Sequence, residues 1–359
     1  MDTPLPMTNA SKTLKTVPEL REAGLISENE TLALREVAAR YAIAITPDVT
    51  DLIDETDPAD PIARQFVPAL AELDHRPEES RDPIGDKTKS PVRGIVHRYR
   101  DRVLLKAVSV CPVYCRFCFR REMVGPDNDT GLTESELDAA IAYIAEHPQI
   151  WEVVITGGDP LILSPRRITE LSARLSEIPH VRIIRWHTRV PIVSPDSVSE
   201  DLSEALASAR PAVFVAVHAN HGRELTPKAR AGCRRLTKAG ISLVSQTVLL
   251  KGVNVDADTL EDLMRSFVEA GVKPYYLHHP DLAPGTSHFR VPIETGQLLM
   301  RQLRQRVSGL AMPTYVLDIP GAFGKVPVGP QYMNRENGED SPYAVTDPNG
   351  GTHSYTDSC

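Results

Sequence analysis

From residue 103 onward, short β-branched runs alternate with amphipathic helical patterns about ten to fifteen residues long. The runs 103–110, 152–157, 181–187, 213–218, 242–249, 273–279 and 314–319 read as strands. The stretches near 133–146, 166–176, 196–208, 226–239, 257–270 and 294–307 read as helices. End signals support this reading. Thr133 with Glu136 has the form of a capping box, and Gly240 and Gly271 stand where a helix end favours a left-handed residue. Repeated βα units imply an α/β fold with a parallel sheet and right-handed crossovers. Six such units could curl into a partial barrel or lie flat as a doubly wound sheet, and periodicity alone does not choose.

The flanks have a different texture. Over 1–90 the pattern is helical and proline-punctuated. Thr16 to Ala42 places Val17, Leu20, Leu25, Leu32, Leu34 and Val37 among charges, with Thr16 and Glu19 as a capping box. A shorter helical pattern covers Ala63 to Leu73, and Asp82-Pro-Ile-Gly-Asp-Lys87 reads as a turn. This region is expected to be a solvated helical cap. The Asn/Gly/Asp/Ser-rich segment 330–359 is expected to be an irregular surface tail. The expected organisation is therefore 1–90 helical, 91–329 the α/β unit and 330–359 the tail.

Composition narrows the function class. At 359 residues, with 41% hydrophobic and 25% charged side chains, the chain is ordinary for a globular protein with a large core. A net charge of −8 argues against a general nucleic-acid binder. No apolar run approaches the roughly 20 residues that span a bilayer. The start Met1-Asp-Thr-Pro-Leu-Pro6 lacks a signal-peptide pattern, so a cytoplasmic protein with no membrane partner is expected. A reducing compartment suits free thiols better than disulfides.

Three of the five cysteines, Cys111, Cys115 and Cys118, fall within eight residues at C-x3-C-x2-C spacing just after the first strand. Thiolates so close select an iron–sulfur cluster, zinc or copper. Zinc with His97 or another distant residue as fourth ligand is the alternative. With Phe117 before the last cysteine, the spacing resembles the signature of radical S-adenosylmethionine enzymes, in which a [4Fe-4S] cluster leaves one iron for S-adenosylmethionine.

Chemistry in a parallel α/β fold collects at the C-terminal ends of strands. The second strand ends in Thr156-Gly157-Gly158-Asp159-Pro160, where paired glycines admit close approach and a carboxylate can meet an ammonium. The fourth ends in His218-Ala-Asn-His221, which reads as one core and one rim histidine as readily as a metal pair. Gln246 is polar within an apolar run and so faces an interior that must partner it. Lys325, bracketed by glycine and proline after the last strand, is either solvated or a Schiff-base lysine.

Taken jointly, several blocks between Ser90 and Gln331 resemble the lysine 2,3-aminomutase family. They include His97-Arg-Tyr-Arg-Asp-Arg102, Cys111 to Arg121, Thr156 to Asp159, His218-x-Asn-His221, Gln246 to Asn254, Lys273-Pro-Tyr-Tyr276, Asp281-Leu, His288-Phe-Arg290 and Pro320 to Pro327. The resemblance implies a radical SAM (β/α)6 partial TIM barrel with an N-terminal helical region. It also implies an isomerase that moves the α-amino group of L-lysine to carbon 3, giving β-lysine. The implied cofactors are a [4Fe-4S] cluster on Cys111, Cys115 and Cys118, S-adenosylmethionine, and pyridoxal 5′-phosphate on Lys325. By the same resemblance Tyr99 stacks on the pyridoxal ring and Arg98 contacts its phosphate. Arg120 pairs with the substrate carboxylate, and Asp281 and Asp318 grip its ε-ammonium. Gly157, Gly158, Asp159 and Gln246 surround S-adenosylmethionine.

Arg100 stays a surface residue in this reading. A flavodoxin or ferredoxin as electron donor and a homo-oligomer are also implied. Two departures stand out. Only Cys233 and Cys359 remain late in the chain, so no structural zinc is expected, and His278 stands where the family usually has tyrosine. Alternatives within the family are the branch linked to elongation factor P and an aminomutase for another amino acid. Outside it stands a protein that uses the cysteines structurally.

Overall fold

The structure, a computed structural model, describes residues 12–125, 131–335 and 342–357. Nine strands form one sheet in chain order: β1 (Ile95–Tyr99), β2 (Arg102–Val108), β3 (Glu152–Gly157), β4 (Ile183–Thr188), β5 (Ala212–His218), β6 (Ser242–Val248), β7 (Lys273–His278), β8 (Thr314–Ile319) and β9 (Gly324–Pro327). The principal helices are α1 (Val17–Glu22), α2 (Glu28–Arg40), α3 (Glu134–Ala145), α4 (Pro165–Ser176), α5 (Glu200–Ala207), α6 (Pro227–Lys238), α7 (Ala257–Glu269) and α8 (Ile293–Arg306). Local chemistry sets their ends. Thr133 closes the capping box of α3 with Glu136, and Ser164, Ser199, Thr226 and Asp256 cap α4 to α7 with side-chain oxygens. Gly240 and Gly271 take φ of +86° and +78° just beyond α6 and α7.

Strands β2 to β8 are the seven expected runs, paired in parallel and in sequence order. The order never reverses, so the sheet has no switch point of the doubly wound kind, and right-handed crossovers curl it one way. The result is a nearly closed partial barrel. Two antiparallel strands were not legible in advance, β1 paired with β2 and β9 paired with β8. Both are short and carry polar residues, so neither shows a strand's alternation. They are also what brings the two edges of the barrel together: the backbone N–H of Lys325 on β9 donates to the phenol of Tyr99 on β1 at 2.7 Å. Register then sets neighbours inside the barrel, with His218 opposite Gln246 and Asp318 opposite Lys325.

The flanks correct the expectation. The pattern from Thr16 to Ala42 is two helices, interrupted at Gly24, and that from Ala63 to Leu73 is two single turns separated by Pro68, which cannot donate to a continuing helix. This region is not a solvated cap. Leu20, Val37, Ile45, Ile62 and Phe66 belong to the same apolar core as the barrel's Ile155, Trp186 and Phe267. Asp60, Gln65, Glu72 and Asp86 are fully buried against the barrel. The tail is not wholly irregular either. The strands β10 (Met333–Arg335), β11 (Tyr343–Thr346) and β12 (Thr352–Tyr355) form an exposed antiparallel sheet. Its second hairpin is held by Asp347, whose Oδ1 accepts from the N–H groups of Asn349 and Gly351 at 2.7 and 3.0 Å. The opening Met1 to Pro6 and Cys359 lie outside the described residues. Among the described residues no helix is long and apolar enough to cross a membrane.

Candidate active site

A cavity of about 510 Å³ runs along the inside of the parallel strands and takes in their C-terminal ends. Its walls hold every residue to which the resemblance gave a site role: Arg98, Tyr99, Cys111, Cys115, Cys118, Arg120, Gly157, Gly158, Asp159, Gln246, Asp281, Asp318 and Lys325. That volume suits one or more small organic ligands.

At one end lies the cysteine loop. It is tied to the N-terminal region by backbone bonds from Tyr114 to Ala44 at 3.1 Å and from Arg116 to Gln65 at 2.8 Å. Arg116, buried at 1% exposure, donates to the carboxylate of Glu72 at 2.9 and 2.5 Å and to the Ala42 carbonyl at 2.8 Å. Arg121 also pairs with Glu72 and reaches the carbonyls of Arg116 and Gly285. One buried carboxylate from residue 72 thus fixes two arginines of the cysteine loop. Burial pushes all three thiols up, Cys118 to about 11. The thiolates therefore need a cationic partner to form.

Among the described residues no three or more of His, Cys, Asp and Glu gather round one point as ligands of a single ion. His97, the alternative zinc ligand, is committed elsewhere, with its Nδ1 2.8 Å from the Tyr143 hydroxyl. Three half-buried soft donors on one wall suit a multi-iron cluster, whose cysteines bind separate irons.

Beside the thiols stand Gly157, Gly158, Asp159 and Gln246. A Cβ at Gly157 would lie 2.2 Å from the Val108 carbonyl oxygen, and one at Gly158 would lie 2.2 Å from that of Val110. The paired glycines therefore serve close packing of β3 on the segment entering the cysteine loop, which the expectation of a ligand-facing pair had not foreseen. The carboxylate of Asp159 is already supplied by Thr188 Oγ1 at 2.7 Å and by the N–H groups of Arg189 and Leu161 at 2.6 and 3.1 Å. Burial raises its pKa. Gln246 makes no side-chain hydrogen bond among the described residues, and the buried Nε2 of His187 has no partner. Both leave polar capacity for a ligand such as S-adenosylmethionine. The histidine pair diverges: His218 lines the cavity and meets Asn220 Oδ1 at 3.2 Å, whereas His221 Nδ1 accepts from the Arg223 N–H.

Another stretch of the wall is a charged lattice. Lys325 Nζ donates to Asp318 Oδ2 at 2.5 Å and lies 3.5 Å from His278 Nδ1. Burial and the charge of Lys325 push His278 down to about 4, so its ring is neutral at pH 7. Burial opposes ionisation of Asp318, but its contacts with His278 and Lys325 outweigh that and hold the carboxyl well below the usual range. Asp281 has no such partner among the described residues. Burial first, and the nearby Asp318 second, raise it to about 7.

Arg98 and Arg120 converge on Asp86, at 3.0 Å from Oδ1 and 3.1 Å from Oδ2, and Arg98 also reaches Asp318 at 3.4 Å. The Nε of Arg98 is buried without a partner, capacity that suits a phosphate. Tyr99 carries the Arg102 guanidinium on its ring at 3.8 Å, and Arg100 is exposed. Lys325, an unpartnered arginine nitrogen and an aromatic ring in one cavity fit the needs of pyridoxal phosphate.

Motif reading missed four residues here. Asp86 sat in a segment read only as a turn, and Glu72, Arg189 and Glu224 belonged to no block. The only available signal was Arg189's place just beyond a parallel strand.

Residues 106–265 match the Radical SAM superfamily. The L-lysine 2,3-aminomutase of Clostridium subterminale is 38% identical over 320 residues, covering 89% of this chain and 76% of that protein. A putative L-lysine 2,3-aminomutase of Aquifex aeolicus is 39% identical over 326 residues, 90% of this chain and 88% of the other. The glutamate 2,3-aminomutase of Clostridioides difficile is 33% identical over 323 residues, 90% and 76% of the two chains.

Proposed function

The chain belongs to the lysine 2,3-aminomutase family of radical S-adenosylmethionine enzymes and is an aminomutase, and from that premise we propose that its substrate is L-lysine and its product β-lysine. The observation that carries the choice of substrate is the pair Asp281 and Asp318 on the cavity wall. Two carboxylates favour a ligand with a second cationic group and oppose one that ends in a second carboxylate, as glutamate does.

The bound cluster and S-adenosylmethionine supply a hydrogen-abstracting radical, and pyridoxal phosphate carries the migrating amino group. The protein's part is placement. Cys111, Cys115 and Cys118 would hold the cluster, with Gly157, Gly158, Asp159 and Gln246 around S-adenosylmethionine. Lys325 would hold pyridoxal phosphate, with Arg98 at its phosphate and Tyr99 at its ring. Asp318 holds Lys325 Nζ as an ion pair at 2.5 Å, with His278 Nδ1 3.5 Å away, so the amine is positioned before it reacts. Once Lys325 is engaged, Asp318 is released from that ion pair and can join Asp281 on the substrate's ε-ammonium. Arg120, oriented by Asp86, would take the α-carboxylate. Gripping both ends of the substrate would hold its reacting carbons in place, the positional contribution that radical chemistry requires. A low-potential one-electron donor such as flavodoxin or ferredoxin and a homo-oligomeric assembly complete this reading.

The test is anaerobic incubation of the reconstituted enzyme with L-lysine or with L-glutamate, the products identified by NMR. β-Lysine from the first and no product from the second is the expected result, and preference for glutamate would overturn it. Borohydride should fix pyridoxal phosphate on the peptide containing Lys325, and Cys115→Ala should form no 5′-deoxyadenosine.

A further inference from the structure

Arg189 follows β4 directly and is buried at 5% exposure, yet no step above uses it. Its Nη1 donates to the sulfur of Cys115 at 2.8 Å. Its Nη2 donates to Gln65 Oε1 at 2.6 Å and to Glu224 Oε2 at 2.5 Å. The guanidinium is flanked by the rings of Phe66 and Phe117, at 4.5 and 5.3 Å. Glu224 is as firmly placed: its Oε1 accepts from the N–H groups of Asn220 and His221 at 2.8 and 2.9 Å and from Gln65 at 3.2 Å. Among the described residues, Cys115 is the one cysteine of the three with a charged side-chain donor within hydrogen-bond distance.

We propose that the Arg189–Glu224 pair sets the reduction potential of the iron–sulfur cluster by holding a compensated positive charge against the sulfur of Cys115. The inference rests on the cluster assignment made above. Reduction adds one electron and makes or breaks no bond, so the reduced cluster carries one more negative charge. A donor on a cluster sulfur stabilises that form, and in a dry, packed setting the effect is weakly screened. Unbalanced, the guanidinium would raise the potential and leave the reduced cluster a weaker donor toward S-adenosylmethionine. Glu224 offsets it. The two side chains therefore act in opposite directions, which a purely architectural pair would not do.

The experiment compares anaerobically reconstituted parent, Arg189→Gln, Arg189→Lys, Glu224→Gln and the double variant Arg189→Gln/Glu224→Gln. Iron content is measured first. Each protein is then reduced stepwise with dithionite and followed by electron paramagnetic resonance. Glu224→Gln should be reduced at a higher potential than the parent and Arg189→Gln at a lower one. The double variant, with both charges removed, should fall between the two single variants, and Arg189→Lys should fall between Arg189→Gln and the parent. Should Arg189→Gln lose iron, the upward shift of Glu224→Gln and the position of Arg189→Lys still decide. Single variants Arg189→Gln and Glu224→Gln with full iron that are reduced at the parent's potential, or that both shift in one direction, overturn the proposal. A parent that binds no four-iron cluster overturns the cluster reading itself, an outcome the iron analysis separates from the first.

Discussion

The phenolic oxygen of Tyr99 accepts a hydrogen bond of 2.7 Å from the backbone N–H of Lys325, 226 residues away in the chain. The contact joins the first strand of the barrel to the last, at the lysine proposed to carry pyridoxal phosphate. Gly324 makes the approach possible: its φ is +97°, and a Cβ there would stand 3.3 Å from the tyrosine ring. Closure of the barrel and placement of the reactive amine are therefore one event.

Tyr99→Phe keeps the ring and removes the acceptor. The lost bond is worth about 0.5–1.5 kcal/mol, so affinity for pyridoxal phosphate should fall roughly two- to tenfold. Absorbance titration of the cofactor-free protein measures it. Unchanged affinity would mean that the contact does not govern Lys325.

Gly324→Ala places a side chain in backbone space that L-residues avoid, against the face of Tyr99. Strain of about 1–3 kcal/mol is expected. Thermal unfolding should shift down by a few degrees, and cofactor content after purification should drop. A variant as stable and as loaded as the parent would contradict this.

Asp281 supplies a pH signature. Its pKa is about 7 in the folded protein against an ordinary value of 3.8, because burial and Asp318 favour the protonated form. A raised folded value means stability that is present at low pH and lost as pH rises through about 7. In the cofactor-free protein, the stability difference between parent and Asp281→Asn should therefore change across that window, with the parent losing ground as pH rises. Lysine needs the ionised carboxylate, so its kcat/KM should climb through pH 7 in the parent. In Asp281→Asn the climb should vanish. Loss of a buried ion-pair partner, about 3–5 kcal/mol, should lower turnover at limiting lysine by roughly two to three orders of magnitude. A flat parent profile would remove Asp281 from the substrate site.

Glu72→Gln tests whether the N-terminal region holds the cysteine loop. The change leaves Arg116 and Arg121 buried without their shared carboxylate, at a cost of about 3–5 kcal/mol. Reduced thermal stability and faster loss of iron on standing are expected, the latter read from the decay of cluster absorbance. Full iron retention would show that the loop is held by other contacts.

The periodic elements of the barrel were legible because period is a local property. Strands β2 to β8 are apolar runs that stand out in any short window, and the caps at Thr133 and Gly240 mark helix ends by chemistry confined to a few residues. The spacing of Cys111, Cys115 and Cys118 was likewise complete within one loop. Cys111, Gly158, Asp159 and Asp281 could be singled out because they sit just past parallel strands, where such a sheet collects its chemistry, and Lys325 lies in the short strand that follows the last of them.

The rest depended on which distant groups meet. Strands β1 and β9 carry no alternation and exist because each finds an edge to pair with. Glu72, Asp86 and Glu224 look like ordinary surface carboxylates. They are buried because Arg116 and Arg121, Arg98 and Arg120, and Arg189 come to them from 12 to 49 residues away in the chain. A charge is excluded from the interior unless a partner is already there, so its burial is a property of the pair. The sequence by itself determined the periodic elements and the candidate side chains. Only the tertiary structure decided which charges those side chains would answer to, because that depends on groups far apart in the chain.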